Sequence, residues 1–450
     1  MDLKGKKISV IGAARSGLSA ALLIKNHGGI PFVSDIQDPE KISGQIEFLS
    51  KNKIDFEAGL NSSNIYNCDF MVVSPGVPLN SISIATAFAK GIKVISEIEL
   101  GYLFCKGKIL AVTGTNGKTT TTSLLYHILK VAGKETYLAG NIGTPLCDFV
   151  NNISGDGIVA LELSSFQLDT IEKFRPNAST ILNITPDHLN RYDYKIENYI
   201  KSKYRIVENA RSGDLLVLNS DDTIMRENPL STEANVKYFS CKSKPESGAF
   251  FENGKIHFVE NGKTEFVGET SGLKLKGKHN FQNIMAASIL ARSIDLSYET
   301  IFNAVATFEA VEHRLEPVPS KDGIIYINDS KATNVDSVFY ALQSFDAPLF
   351  LILGGQDKGN DYNSILDLVK KNVKKIYAIG SSATKIIEFF SPFVKVESKN
   401  SLRECVLAGH TEAKKGEIVL LSPACASFDM FLNYEDRGLK FKEAVTEVAT

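Results

Sequence analysis

The chain has 450 residues, 43% of them hydrophobic and 23% charged, with a formal net charge of −2. That length exceeds a single hydrophobic core and, at roughly 150 residues per domain, suggests about three domains of ordinary globular composition. The near-neutral balance leaves no electrostatic footprint for nucleic acid, no apolar run approaches the roughly 20 residues that span a bilayer, and the six cysteines form no CxxC or metal-ligand spacing.

Residues 1–7 lead straight into a strand without a signal-peptide apolar segment, so a cytoplasmic enzyme with reduced thiols is expected. Residues 8–12 read as a buried strand, Leu18, Leu22 and Leu23 mark the helix after it, and residues 30–33 form a second strand closing on Asp35. This βαβ unit carries Gly12 and Gly17 at its turn, but Ala14 stands where the dinucleotide fingerprint GxGxxG needs its middle glycine. A nicotinamide site is weakened accordingly. Asp35 reads either as a ligand for a ribose or base edge or as a turn aspartate. Residues 70–73 make a further strand running into Ser74-Pro75-Gly76, at the sheet edge where open parallel sheets bind ligands.

The middle of the chain opens on the apolar run 109–112, then Gly114-Thr115-Asn116-Gly117-Lys118-Thr119, then Leu124, Leu125, Ile128, Leu129 and Val131 at helical spacing. Strand, glycine turn and helix in that order aim backbone N–H groups at a phosphate; Lys118 can reach β- and γ-phosphates and the Thr119 hydroxyl can ligate Mg²⁺. Val112 holds the place of the first glycine of the full Walker pattern, so the match is GxxGKT. Residues 137–143 close another strand with a glycine turn. The strand 158–162 ends in Glu162, a carboxylate that suits a Mg²⁺–nucleotide site or serves the strand end alone. Residues 181–186 read as a strand delivering Asp187 and His188 at its tip. On a helix over 195–210, Ile196, Tyr199, Val207 and Ala210 all fall within about 40° of Lys203. A lysine on an apolar stripe either snorkels its head outward or belongs to the site. Asn253-Gly254 and Asn261-Gly262 mark two hairpin turns of a short meander. Gly277 to Asn283 opens an alanine-rich helix, with Asn280 as its cap candidate and Asn283 as a candidate reader of an adenine edge.

In the last segment, strands at 324–327, 349–353, 376–379 and 418–421 each deliver small or polar residues at the carboxyl end. Lys331 and Lys358 at such tips suit an anionic substrate or are surface lysines. The expected architecture is α/β in three domains: a Rossmann-like sheet over 1–96, a P-loop ATPase-type domain with a β meander over 97–310, and a second Rossmann-like domain over 311–450.

GTNGKTT, LELSSFQL, NITPDHLNRY, EHRLE at 312–316, INDSKATN and LLSPACASFD, taken in order, make the chain closely resemble the Mur ligases of peptidoglycan precursor synthesis over essentially its whole length. Within them, INDSKATN and SPACASFD point to the member that adds D-glutamate; the DNPR string of diaminopimelate- or lysine-adding relatives is absent. The resemblance implies ATP-dependent amide formation between UDP-N-acetylmuramoyl-L-alanine and D-glutamate through an acyl phosphate, with two Mg²⁺ ions. It implies that Gly114, Thr115, Asn116, Gly117, Lys118, Thr119 and Thr120 hold the ATP phosphates, and that Asn283, Arg314, Asp329 and Lys331 contact adenine, ribose or phosphates. Thr119, Glu162, His188 and a carbamylated Lys203 would be the metal ligands, with Lys118, His188 and Lys203 catalytic. Arg15, Ser16, Asp35, Ile36 and Gly76 would cradle the uridine diphosphate, Asn141 would support the nucleotide sugar, and Thr333, Lys358, Ser427 and Tyr434 would hold D-glutamate. A monomer without nucleic-acid or membrane partners is expected. The alternatives are another Mur-type or a folylpolyglutamate-type ligase, a nicotinamide dehydrogenase, and a non-catalytic UDP-sugar-binding protein.

Overall fold

The computed structural model describes every residue except 310, 321, 322, 358 and 450, and its strands build three sheets. The first contains β1 (Lys7–Ile11), β2 (Ile30–Asp35), β3 (Asp55–Ala58), β4 (Phe70–Val73) and β5 (Val94–Ser96), all parallel, in the order β3-β2-β1-β4-β5. The order reverses between β1 and β4, so the carboxyl ends of these two strands flank a crevice. Gly17 lets the helix Arg15–Asn26 close down on that turn, since a Cβ there would stand 1.8 Å from the Gly12 carbonyl oxygen.

The second sheet has nine strands: β6 (Lys108–Thr113), β7 (Thr136–Gly140), β8 (Ile158–Glu162), β9 (Ala178–Ile181), β10 (Leu215–Asn219), β11 (Asn235–Ser240), β12 (Gly248–Glu252), β13 (Lys255–Glu260) and β14 (Lys263–Glu269). Their order is β14-β13-β12-β11-β10-β9-β6-β8-β7, parallel from β7 to β12 and antiparallel beyond. Asn253-Gly254 and Asn261-Gly262 turn the two hairpins with positive φ at all four residues, the backbone that matches strand twist in a two-residue loop. β6 lies between β8 and β9, so whatever follows β6 faces the tips of both. One hydrophobic core runs through both sheets, from Val10 and Ile24 to Val159 and Leu161. Met1–Leu273 and Phe281–Thr307 accordingly form one compact unit, and Lys274–Asn280 with Phe308–Thr450 a second.

The second unit holds β15 (Glu316–Val318), β16 (Ile325–Asn328), β17 (Leu349–Gly354), β18 (Val373–Ile379), β19 (Lys395–Ser398) and β20 (Ile418–Leu421), ordered β15-β16-β20-β17-β18-β19 and parallel except for β15. The strand period of two divides its core: Leu349, Leu351 and Leu353 pack on one face, Phe350 and Ile352 on the other.

Three local expectations change. The helix at 195–210 is an α-helix only over Ile196–Tyr204 and tightens to a 3-10 turn over Arg205–Val207, where the Arg205 guanidinium reaches back to the Asp169 and Ile171 carbonyls. The strand placed at 181–186 is β9, which ends at Ile181; Asn183 folds its amide onto the neighbouring loop instead of extending the ladder. Asn280 is no cap, because the helix begins at Lys278 and the Asn280 amide donates back to the Lys276 carbonyl at 2.8 Å.

Candidate active site

β6 ends in the glycine turn, and the helix Lys118–Val131 starts from Gly117 at φ 82°. The turn is braced from the side: Asn183 Oδ1 accepts from the Thr115 and Asn116 amides at 3.1 and 2.8 Å, and its Nδ2 donates to the Asn116 carbonyl at 3.0 Å. Asn183 has no part in the sequence expectations, although the NITPDH string contains it. Asn283 Oδ1 accepts from Thr121 Oγ1 at 3.2 Å and lies 2.4 Å from where a Cβ on Gly117 would stand. Lys118 Nζ donates to the Gly114 and Thr115 carbonyls at 2.9 and 2.7 Å, so its head already lies over the loop it would serve. Gly117→Ala combines a left-handed backbone with that collision; it is expected to cost about 1–2 kcal/mol of stability. Nucleotide affinity should fall at least tenfold, as titration with ATP checks.

Lys203 does not snorkel. It is 1% exposed, its Nζ donates to the Gly114 carbonyl at 2.8 Å, and it sits 4.5 Å over the Tyr199 ring. Burial, reinforced by the neighbouring Lys118 charge, pushes this amine well below its usual 10.5 against the opposing pull of Asp187 and Asp169. A neutral amine is a nucleophile for CO₂, and a carbamate would convert a stranded base into an anion. Glu162, also 1% exposed, accepts from Asn141 Nδ2 at 2.7 Å through Oε1, while its buried Oε2 has no hydrogen-bond partner. An orphaned carboxylate oxygen is costly unless something positive meets it. His188 adopts φ 53°, with its ring edge against Phe166 at 5.1 Å and its Nε2 3.7 Å from Asp187 Oδ2. Among the described residues no group of three or more His, Cys, Asp or Glu stands ready for a metal. The set Thr119, Glu162 and His188 supplies one carboxylate, and a Lys203 carbamate would add the second; with it the oxygen-rich donor set fits Mg²⁺.

A cavity of about 490 Å³ opens at the carboxyl ends of β1, β2 and β4. It brings together Arg15, Ser16, Asp35, Ile36, Gly76 and Asn141. Both Asp35 oxygens are engaged by backbone, Oδ2 by the Ala13 amide at 2.7 Å and Oδ1 by the Gln37 amide at 2.8 Å. Asp35 therefore braces the turn while it lines the cavity, and each of its oxygens keeps a second lone pair for a ligand. Arg15 spans to the Gly143 carbonyl at 3.4 Å. Asn141 is shared: it lines this cavity and holds the Glu162 carboxylate.

In the second unit, β16 delivers Asp329 to a fully buried position where Oδ1 accepts from the Leu315 amide at 3.3 Å and Oδ2 from Ser422 Oγ at 2.8 Å. Burial lifts its carboxyl to about 6 against the nearby Arg314 charge. Lys331 Nζ donates to the Tyr434 hydroxyl at 3.0 Å and lies 4.7 Å over that ring. Thr333 follows on the same loop, its amide on the Lys331 carbonyl at 3.0 Å, and Ser427 is buried at the end of the loop after β20. Arg437 ties these loops together: Nε donates to Ser330 Oγ at 3.0 Å, Nη2 to the Ser330 carbonyl at 2.7 Å and Nη1 to the Cys425 carbonyl at 3.1 Å. No sequence pattern singles Arg437 out, since it falls one turn into an ordinary amphipathic helix. Asn283 groups with the phosphate loop in the first unit, Arg314 and Asp329 in the second. Lys358 lies outside the described residues.

Three family models match the chain: the Mur ligase MurD-like N-terminal domain over residues 6–96, the Mur ligase middle domain over 112–291, and the Mur ligase glutamate ligase domain over 313–425. A UDP-N-acetylmuramoylalanine–D-glutamate ligase of Christiangramia forsetii is 44% identical over 98% of this chain and 99% of its own. One from Caldicellulosiruptor bescii is 43% identical over 100% and 99%. Among solved structures, UDP-N-acetylmuramate–alanine ligase MurC of Thermotoga maritima superposes with a TM-score of 0.62 at 21% identity, covering 98% of this chain and 99% of that one. MurF of the same organism, solved in complex with ADP, gives 0.59 at 15% identity over 99% and 96%. At those identities the likeness is one of fold. No helix among the described residues is long and apolar enough to cross a membrane.

Proposed function

The chain belongs to the Mur ligase family, and from that premise we propose that it joins D-glutamate to UDP-N-acetylmuramoyl-L-alanine at the expense of ATP. The reaction serves peptidoglycan precursor synthesis. The observation that carries this reading is Asn141, one side chain that both lines the nucleotide-sugar cavity and fixes Glu162 beside the phosphate loop. An acceptor anchored in that cavity by its uridine diphosphate extends its alanyl carboxylate toward the γ-phosphate.

The carboxylate attacks the γ-phosphorus, ADP leaves, and an acyl phosphate forms. The amine of D-glutamate then adds to the activated carbonyl and phosphate departs from the tetrahedral intermediate. Two anions must meet in the first step, so the burden falls on positive charge fixed in advance. Lys118 and the amides from Gly117 to Thr119 supply it toward the phosphates, with Asn283 beside the loop at the adenine. Thr119, Glu162, His188 and carbamylated Lys203 would hold Mg²⁺, which when bound neutralises charge between phosphates and carboxylate. Arg314, Asp329 and Lys331 complete the nucleotide contacts, while Thr333, Lys358, Ser427 and Tyr434 hold D-glutamate. The reaction needs one chain, and a cytoplasmic monomer is the simplest form that meets it.

Phosphate release is the test. With ATP, Mg²⁺ and UDP-N-acetylmuramoyl-L-alanine, a panel of D- and L-amino acids is expected to give turnover with D-glutamate and background with L-glutamate, L-lysine and diaminopimelate. Equal or better turnover with an L-amino acid would overturn the substrate assignment.

A further inference from the structure

Arg191 ends the short 3-10 turn after His188 and is given no role in the readings above. Its guanidinium stacks on Phe166 at 4.0 Å and donates to three successive carbonyls, Pro75 at 3.3 Å, Gly76 at 3.4 Å and Val77 at 3.1 Å. Those carbonyls belong to the turn that follows β4 and walls the nucleotide-sugar cavity. The turn is tight in itself, with the Val77 amide on the Ser74 carbonyl at 3.0 Å. At the other end, the Arg191 amide donates to the His188 carbonyl at 2.9 Å, and Phe166 carries the His188 ring edge at 5.1 Å. Among the described residues Arg191 makes no ion pair, and its guanidinium donates to carbonyls of this one turn.

A planar fork that stacks on one face while donating along its edge suits arginine and not lysine. A surface arginine recruited only for solubility would not spend its donors on carbonyls of another sheet. We propose that Arg191 is a positioning residue that brackets the cavity wall to the His188 loop, setting the distance between bound nucleotide sugar and the phosphate loop. The functional half of this inference rests on the ligase reading; the bracket itself does not. A misplacement of about 1 Å between reacting groups is enough to cost on the order of 10²-fold in rate.

The test has two arms in the full-length protein, with Arg191→Ala and Arg191→Lys. Hydrogen exchange without any ligand reads the bracket: the Val77 amide should exchange at least tenfold faster in both variants while the melting temperature stays within a few degrees. Unchanged exchange overturns the bracket whatever the enzyme's substrate. Steady-state kinetics reads the coupling: KM for UDP-N-acetylmuramoyl-L-alanine should rise about tenfold and kcat fall about tenfold, with KM for ATP unmoved. Equal shifts in both KM values, or full recovery in Arg191→Lys, overturn the positioning role. If wild-type protein turned over no nucleotide sugar, the ligase reading would fail while the exchange result still judged the bracket.

Discussion

Replacing Lys203 with methionine is expected to lower kcat by roughly 10³-fold or more while leaving the protein folded and more stable at neutral pH. The two halves have one cause. The amine is 1% exposed, and its folded-state pKa lies well below the 10.5 of an ordinary lysine because burial and Lys118 both oppose its charge. Below 10.5 the unfolded chain binds a proton here that the folded chain refuses, so stability is lost as pH falls from 10.5 toward the folded-state pKa. Methionine fills similar volume without that liability. Thermal melts in CO₂-free buffer should therefore show the variant above wild type at pH 7, with the gap closing toward pH 10. Activity moves the other way, because the neutral amine that burdens the fold is the group proposed to take up CO₂ and supply the second anion beside Glu162. Stripping bicarbonate from wild-type enzyme should lower turnover reversibly and leave the variant where it was. A Lys203→Met enzyme turning over at near wild-type rate removes the carbamate from the reaction.

Lys203 also shows what kind of information the chain exposes before it is folded. Helical spacing places the lysine on the apolar stripe with Tyr199 and Val207, and the structure buries it there. The α-helix stops at Tyr204, but a contact set by 3.6-residue periodicity survives a boundary that shifts by a turn. Strands whose ends hold the candidate site residues are legible for a related reason: β4, β8 and β20 are short, continuous apolar runs that break into small or polar residues. The edge strands β3 (DFEA) and β19 (KVES) offer no continuous apolar run to read, because each pairs on one side only and sets charged residues beside the few apolar ones it packs on the core. Braces were the least legible. Asn183, Arg191 and Arg437 act through contacts with residues about 65 to 115 positions away in sequence, and nothing local distinguishes them from capping or surface residues. Asp35 falls between: its place at the tip of β2 is readable, but that both its oxygens serve backbone amides is a fact of the folded loop.

Lys118→Ala should be as damaging to turnover as loss of Lys203, and it should damage Lys203 as well. The Lys118 ammonium donates to the Gly114 and Thr115 carbonyls. Exchanging those neutral acceptors for phosphate oxygens costs little reorganisation and places a full positive charge where the attacking carboxylate meets the γ-phosphate, an effect worth roughly 10²–10³-fold for a single preorganised donor. The second effect runs through the shared Gly114 carbonyl, which accepts from both lysines. Lys118 is the charge that, after burial, holds the Lys203 amine down. Removing it lets the Lys203 pKa rise, so at fixed pH less of that amine is neutral and less of it can take up CO₂. Labelling with ¹³C-bicarbonate and reading the carbamate carbon by NMR separates the two losses. Wild type should carry the signal, Lys203→Met should lack it, and Lys118→Ala should show it diminished at pH 7 and recovering as pH rises. A carbamate signal in Lys118→Ala equal to wild type at every pH would uncouple the lysines and leave Lys118 a phosphate ligand alone.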